Sequence, residues 1–357
     1  MRLALLTSEP ADTARGSGTA MAVTRLRAAL ALCGVEAPVL RAAPTVPGAT
    51  FARWRFNRTL APRALDRYDA VLGVNGDGWR IADRLQVPYV ALVKALYGAA
   101  IPFERHPARA LLAAHARWEA LGVRGATLVV TPSQFAADRA ADSYGVHREL
   151  LRVVPEPFDT QAWRAALPQR TSAAARVLCV AHLYPRKRVV DLLDAWPMVR
   201  RANPSARLDV VGGGPQLRRL VHRATGLPDC YLHGHVDHPA ILEYYARADA
   251  FCLPSAQETF GYAAVEAMAS GLPVVIAAAG ALPEVCAGAV MEAAELGAPH
   301  ALAAAIVRAL DTPARERAAL LNPTRAAAFA PDAVARQLID VVNEAIELRQ
   351  RRAAGRA

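Results

Sequence analysis

The pattern of this chain predicts an α/β protein with two doubly wound parallel sheets, one in each half. Three observations carry the prediction. Short apolar runs alternate with helical patterns along the whole chain, as β-α-β units require. The runs are near-continuous Val, Leu, Ile and Ala, as expected of strands covered on both faces. The alternation also falls into two series, separated at Glu156–Ser172 by a stretch with Pro157, Pro168 and little periodicity.

Strands are expected in the first half at Arg2–Thr7, Ala70–Val74, Pro88–Val93, Thr127–Thr131 and Leu151–Val154. In the second half they are expected at Arg176–Ala181, Arg207–Val211, Cys230–His233, Ala250–Leu253 and Pro273–Ala277. Helical patterns between them include Val189–Val199 and Glu258–Ser270. The apolar start, Met1 to Thr7, is stopped by Ser8-Glu9-Pro10, too soon for a secretory segment, and reads as a first strand. The expected organisation is a first domain over 1–165, a second over 170–330, and an amphipathic helix over 331–350 that packs back on the first. At 357 residues the chain exceeds one typical core. Such proteins usually bind their ligand in an interdomain cleft, at the carboxyl ends of the strands.

Composition narrows the function classes. Apolar residues make up 54%, ample for a core, yet no run approaches the ~20 residues of a bilayer span. Five scattered cysteines have neither metal-ligand nor CxxC spacing; they read as small hydrophobes in a reducing compartment, the cytoplasm. The net charge of +10 fits nucleic acid, an anionic membrane surface or phosphorylated small molecules, and fits plain arginine usage equally well.

Four loops in the second half hold unusual residues after strands. In Ala181-His182-Leu183-Tyr184-Pro185-Arg186-Lys187-Arg188, three consecutive cations suit a diphosphate or are a solvated charge run. Gly212-Gly213-Gly214-Pro215 allows close backbone approach to a ligand or is a tight turn; it does not match GxGxxG. In Pro254 to Gly271, Thr259 or a neighbour is the expected cap of a helix running through Met268. Gly261 then lies in the first turn, where amides and helix dipole receive phosphate. Glu258 precedes that helix and Glu266 lies inside it. Two carboxylates around a phosphate-receiving helix end suit a nucleotide sugar, although a capping glutamate and an exposed one would look the same. The fourth loop, Ala279-Gly280-Ala281-Leu282-Pro283-Glu284-Val285, is small enough for a sugar to approach, or an ordinary βα loop.

Together the four loops resemble the retaining GT-B glycosyltransferases of family 4. The resemblance rests on Ala181-His182-Leu183 with Lys187-Arg188, Gly212 to Pro215, Ala248-Asp249 with Pro254-Ser255, Glu258 through Val275, and Gly280 with Glu284. The E-x7-E element inside E-A-M-A-x-G-x-P-V-V is its most specific part. It implies a GT-B fold, two Rossmann-like domains and hexosyl transfer with retention. The donor is then a UDP- or GDP-linked sugar and the acceptor a glycan, glycolipid or small molecule; because the cations at Lys187 and the helix end near Gly261 can replace a metal, and no clear acidic metal motif appears, no metal is expected to be obligatory.

Carried over residue by residue, the resemblance makes Lys187 a diphosphate ligand and Glu258 a contact to sugar hydroxyls, the two catalytic candidates. Glu266 holds the ribose, and Thr259, Phe260, Gly261 and Tyr262 hold phosphate through the backbone. His182 stands where the family usually has Arg, and Arg188 where it has Gly, so Arg186 or Arg188 is expected to supply missing charge. Gly213 and Gly214 belong to the donor side.

In the first half, Gly16 and Gly18 look like the family's first glycine loop, with a helix from about Thr19. Lys94 follows a strand where many members have His. Asp77, Glu104 and His106 are further acceptor-side candidates, while His106 and His115 also read as surface histidines. From Ala42 to Leu65 there are no acids, and Arg53, Arg55, Arg58 and Arg63 interleave with Phe51, Trp54 and Phe56. This 51–63 segment is a candidate for an anionic membrane, a polyanionic acceptor or a core cover.

The expected protein is therefore a cytoplasmic glycosyltransferase with peripheral membrane contact as one option. Its rivals are a nucleotide-sugar epimerase, a catalytically idle scaffold and a nucleic-acid-binding protein. Nucleic acid is not the expected partner, because it leaves Glu258 and Glu266 unexplained.

Overall fold

The computed structural model describes residues 1–9, 18–42, 48–169 and 175–354. Its first sheet contains β1 (Leu3–Thr7), β2 (Val39–Arg41), β3 (Ala70–Val74), β4 (Tyr89–Leu92), β5 (Leu128–Thr131) and β6 (Leu151–Val153). The order is β2-β1-β3-β4-β5-β6, and every pairing is parallel. The second contains β7 (Arg176–Val180), β8 (Arg207–Val211), β9 (Cys230–Gly234), β10 (Ala250–Leu253), β11 (Val274–Ala277) and β12 (Met291–Ala294). Its order is β12-β11-β10-β7-β8-β9, again parallel.

All ten expected strands form. The sequence reading lacks β2 and β12, and both are edge strands. Val39–Arg41 is only partly buried, and Met291–Ala294 reads MEAA with one fully buried residue. An edge strand half-open to water needs no apolar run, so composition does not mark it. By contrast β1, β3, β4 and β5 are buried at every position.

The chain divides into two compact units, Met1–Pro157 with Pro331–Ala357, and Phe158–Ala330. Residues 158–165, assigned above to the first domain, fold with the second. The Phe158 amide donates to Phe329 O (2.8 Å), and Trp163 donates from Nε1 to Ser270 Oγ (2.9 Å). Phe158 and Trp163 are nearly fully buried. Each such ring removes on the order of 200 Å² from water, an upper bound of about 5 kcal/mol.

Within the first unit, Leu26 and Leu30 of helix Gly18–Leu32 and Val334, Leu338 and Val342 of helix Pro331–Ala354 cover one face of the sheet. The other face meets Leu85, Val123, Ala136 and Tyr144. Within the second, helices Val189–Ala202 and Pro299–Leu310 pack together. Asp249, from the Ala-Asp pair of the motif, is 1% exposed. It accepts from the Arg176 amide (2.9 Å) and pairs with Arg315 (2.6 Å), so it ties the starts of β10 and β7 together.

Strand order locates the ligand-receiving end of each unit. In the second sheet the order reverses direction between β7 and β10. Loops leaving neighbouring strands at such a point diverge, and their crevice is where doubly wound sheets bind ligands. In the first sheet the corresponding point lies between β1 and β3.

Candidate active site

The loop after β7 carries the cations and the loop after β10 carries Glu258, so both leave the switch point of the second unit. A 3-10 turn at Pro185–Lys187 brings Arg186 O to accept from the Ala256 amide (2.8 Å) and from Ser255 Oγ (3.4 Å). Ser255 is fully buried and also bonds Gln257 O (3.2 Å). This stitching lets Lys187 Nζ form an ion pair with Glu258 Oε1, with side chains 13% and 11% exposed. The two catalytic candidates, seventy-one positions apart in the chain, meet directly.

Glu258 is held from a third side. Gly280, at φ 65°, lies so close that a Cβ there would sit 2.8 Å from the Glu258 amide nitrogen. The Ala281 amide donates to Glu258 O (3.1 Å). The fourth loop thus acts as a backbone brace for Glu258.

The helix after Glu258 begins later than expected, at Tyr262, and runs to Ala269. Its cap is Gly261 with φ 95°, not Thr259, and a glycine cap brings no side-chain hydrogen bond of its own. That left-handed conformation suits glycine, and a Cβ would lie 2.6 Å from Leu282 Cδ2. The Ala264 amide bonds back to Gly261 O at 2.9 Å, which closes the first turn, and the positive end of the helix dipole at such a start favours an anion. Phe260 is buried between Tyr262 (5.3 Å) and Phe329 (5.0 Å), anchoring the turn.

Glu266 lies one turn into this helix and is half-buried. The sequence reading missed the residue that orients it. Tyr245, 1% exposed, brings its hydroxyl within 3.1 Å of Glu266 Oε2 and 3.2 Å of Ala263 O. Trp163 packs edge-on against Tyr245 at 5.3 Å. The available signal was a tyrosine in an amphipathic helix, His238–Arg247: a buried tyrosine needs a partner for its hydroxyl.

Several expectations change in detail. Gly212 and Gly214 serve packing: a Cβ would lie 1.9 Å from Ala181 O at Gly212, and 2.7 Å from Leu183 N at Gly214. Gly213 alone has room, its nearest neighbour being His235 Cβ at 3.5 Å. Arg188 is not a spare cation, because it forms a bidentate pair with Asp191 (2.8 and 2.9 Å). Its φ of 52° explains why the family pattern has glycine there. Arg186 stacks on the Tyr184 ring at 4.8 Å, and His182 is exposed beside the same ring, 6.5 Å away.

In the first unit, Gly16 lies outside the described residues, and Gly18 opens the first helix. Asp77 offers no free carboxylate to an acceptor. It is 2% exposed and accepts from the Ser8 amide (2.5 Å) and Asn57 Nδ2 (2.9 Å), with Arg53 Nε at 3.3 Å. It therefore locks the β1–β3 switch point. Lys94 forms an ion pair with Glu156 at 2.6 and 2.7 Å, with side chains 11% and 4% exposed. Glu104 is half-buried and His106 is exposed.

His115 is not a surface histidine. Arg53 Nη1 lies 3.3 Å from its Nδ1, and its Nε2 lies 3.0 Å from Thr50 Oγ1. Arginine only donates, so Nδ1 accepts and the proton sits on Nε2. Burial, with Arg53 beside it, lowers the His115 pKa to about 4. Cys179, Cys252 and Cys286 are buried, and burial pushes the thiols of Cys179 and Cys286 up to about 12. Among the described residues no three His, Cys, Asp or Glu side chains are grouped to hold a metal ion.

Comparison with known proteins bears on family and fold. Residues 17–162 match the family model described as Glycosyltransferase Family 4. Residues 174–312 match that for Glycosyl transferases group 1. The glycogen synthase of Mycobacterium tuberculosis is 33% identical over 165 residues, covering 45% of this chain and 40% of that protein. The MMP alpha-(1->4)-mannosyltransferase of Mycolicibacterium hassiacum is 32% identical over 235 residues, covering 61% and 54%. The chain thus spans about half the length of the curated relatives it matches.

Two solved structures show the same fold. Sucrose-phosphate synthase from Thermosynechococcus elongatus superposes with a TM-score of 0.78 at 20% identity, covering 96% of this chain and 98% of that one. HepE of Anabaena, solved in complex with UDP and glucose, superposes with a TM-score of 0.74 at 19% identity, covering 96% and 100%. With a family model matching each half, the chain belongs to the family 4, group 1 glycosyltransferases and has their GT-B fold.

Proposed function

We propose that this chain transfers a hexosyl group from a nucleotide-diphosphate sugar to a glycan, glycolipid or small-molecule acceptor, with retention of anomeric configuration and no obligatory divalent cation. The observation that carries the proposal is the meeting of Lys187 and Glu258 at the β7–β10 switch point, beside the Gly261 helix start. The barrier to such a transfer is departure of the nucleoside diphosphate from an oxocarbenium-like centre. Lys187, the neighbouring Arg186 and the helix end would stabilise the charge that develops. Glu258 would face the hydroxyls of the transferred sugar, and Glu266, oriented by Tyr245, the ribose. The UDP and glucose held by the Anabaena relative support a nucleotide-sugar donor of UDP or GDP type.

A thermal-shift screen against UDP-, GDP- and ADP-sugars tests the donor. A ligand present at a hundredfold excess over its Kd stabilises by about 2.7 kcal/mol, a shift of several degrees. No shift with any nucleotide sugar overturns the reading. Turnover of the selected donor should survive excess EDTA; a strict need for Mn²⁺ or Mg²⁺ overturns the metal-independent part.

A further inference from the structure

The helix Ala49–Thr59 is inverted relative to an ordinary surface helix. It buries Arg53 (2% exposed) and Asn57 (1%) along with Phe56. It turns Phe51 (52%) and Trp54 (36%) outward with Arg55 and Arg58. The polar side is explained from within. Arg53 reaches Asp77 and Asn75 O, and Asn57 bonds Asp77 and the Gly78 amide. Among the described residues of the unit, nothing explains the aromatic side. An outward pair of large rings forgoes the burial that normally retains such residues in a helix.

The outer face has a definite chemistry. Phe51 and Trp54 stack at 5.5 Å, and the Arg58 guanidinium lies 4.8 Å from the Trp54 ring centroid. Arg63, in the next short helix Pro62–Leu65, is exposed as well. No acidic residue occurs between Ala42 and Leu65. Stacked aromatic rings that share one exposed helix face with Arg55 and Arg58 match a surface that is apolar just beneath a layer of negative charge. A sugar ring is a poorer fit. Trp54 already stacks with Phe51 and with the Arg58 guanidinium, so a sugar would compete with both contacts.

We propose that the face formed by Phe51, Trp54, Arg55 and Arg58 docks the protein on an anionic lipid bilayer, with the two rings entering the headgroup boundary. Arg53 serves it from beneath by anchoring the helix to Asp77 at the carboxyl end of the first sheet. The inference goes beyond the donor chemistry and does not depend on it. Where the acceptor is a glycolipid, docking at this end of the sheet would hold the acceptor side against the membrane, and that corollary rests on the proposed function.

The test is flotation of the full chain with vesicles of phosphatidylcholine alone or with 30% phosphatidylglycerol, a composition chosen on the order of a natural anionic fraction, with no nucleotide sugar present. Binding is expected only to the anionic vesicles and to weaken with added salt. Arg55→Ser with Arg58→Ser should reduce it on the order of 30-fold, about fivefold per arginine. Phe51→Ser with Trp54→Ser should reduce it on the order of tenfold or more. All four positions are exposed, and unchanged melting temperatures would show that the variants fold. Equal binding to neutral and anionic vesicles, or none to either, overturns the proposal. So does an aromatic double variant that binds as well as the parent, a result that would identify the patch as a general polyanion site. Loss of donor binding would leave these outcomes unaffected, so the two readings fail separately.

Discussion

Breaking the Lys187–Glu258 pair should reveal both its structural and its chemical weight. Exposed ion pairs contribute about 0–1 kcal/mol, whereas removing one partner of a fully buried pair costs about 3–5 kcal/mol. With side chains 13% and 11% exposed, this pair lies between, and Lys187→Met or Glu258→Gln alone should cost about 2 kcal/mol. A unit the size of Phe158–Ala330 converts that to a melting shift of about 4–8 °C. The double variant leaves no stranded charge, so its loss should fall short of the sum of the single losses by about 1–2 kcal/mol. Lys187→Met should also lower donor turnover about 10²–10³-fold, as loss of one positioned donor to a developing anion does. Differential scanning fluorimetry on the four proteins gives the coupling, and a nucleotide-release assay gives turnover. Strictly additive melting losses would refute the pairing, and turnover unchanged in both Lys187→Met and Glu258→Ala would refute the site.

Tyr245→Phe removes the hydroxyl from Glu266 and Ala263; nucleotide affinity measured by calorimetry should fall about tenfold, one hydrogen bond to a charged group, with turnover at saturation little changed. Gly214→Ala should lower the melting temperature sharply, because its Cβ would meet the Leu183 backbone, whereas Gly213→Ala should be tolerated; equal melting of the two would show that the packing argument is mistaken. The His115 pKa is lowered to about 4, while a histidine in the unfolded chain titrates near 6.5. Between those values the unfolded chain binds a proton that the native imidazole refuses, so its contribution to stability is present above pH ~6.5 and declines as pH falls toward ~4. Acid unfolding curves of His115→Asn should lack that decline; identical slopes for variant and parent would contradict it.

The residues explain how much of this was legible. Lys187, Gly214, Glu258, Gly261, Glu266 and Gly280 could be read in order, because loops at strand ends need specific residue types at fixed spacings. The parallel strands were equally legible, since burial on both faces demands unbroken apolar runs. Illegible features were those whose partners lie far away in the chain. Tyr245 looks like any core aromatic until Glu266 is opposite it. Arg53 looks like surface charge until Asp77 and His115 surround it. Asp77 looks available for chemistry until Ser8 and Asn57 occupy its carboxylate.

The sequence by itself determined the alternation of strand and helix, the presence of two such series and the four loops of the family motif. Each depends on a local rule: periodicity, glycine's backbone freedom or a fixed spacing along one turn. Only the tertiary structure decided which glycines face a neighbour's backbone, which arginines are already paired, and that Lys187 touches Glu258. Those are questions of distance between segments remote in sequence, set by the strand order that brings β7 beside β10, and strand order is a property of the packed sheet rather than of any stretch of residues within it.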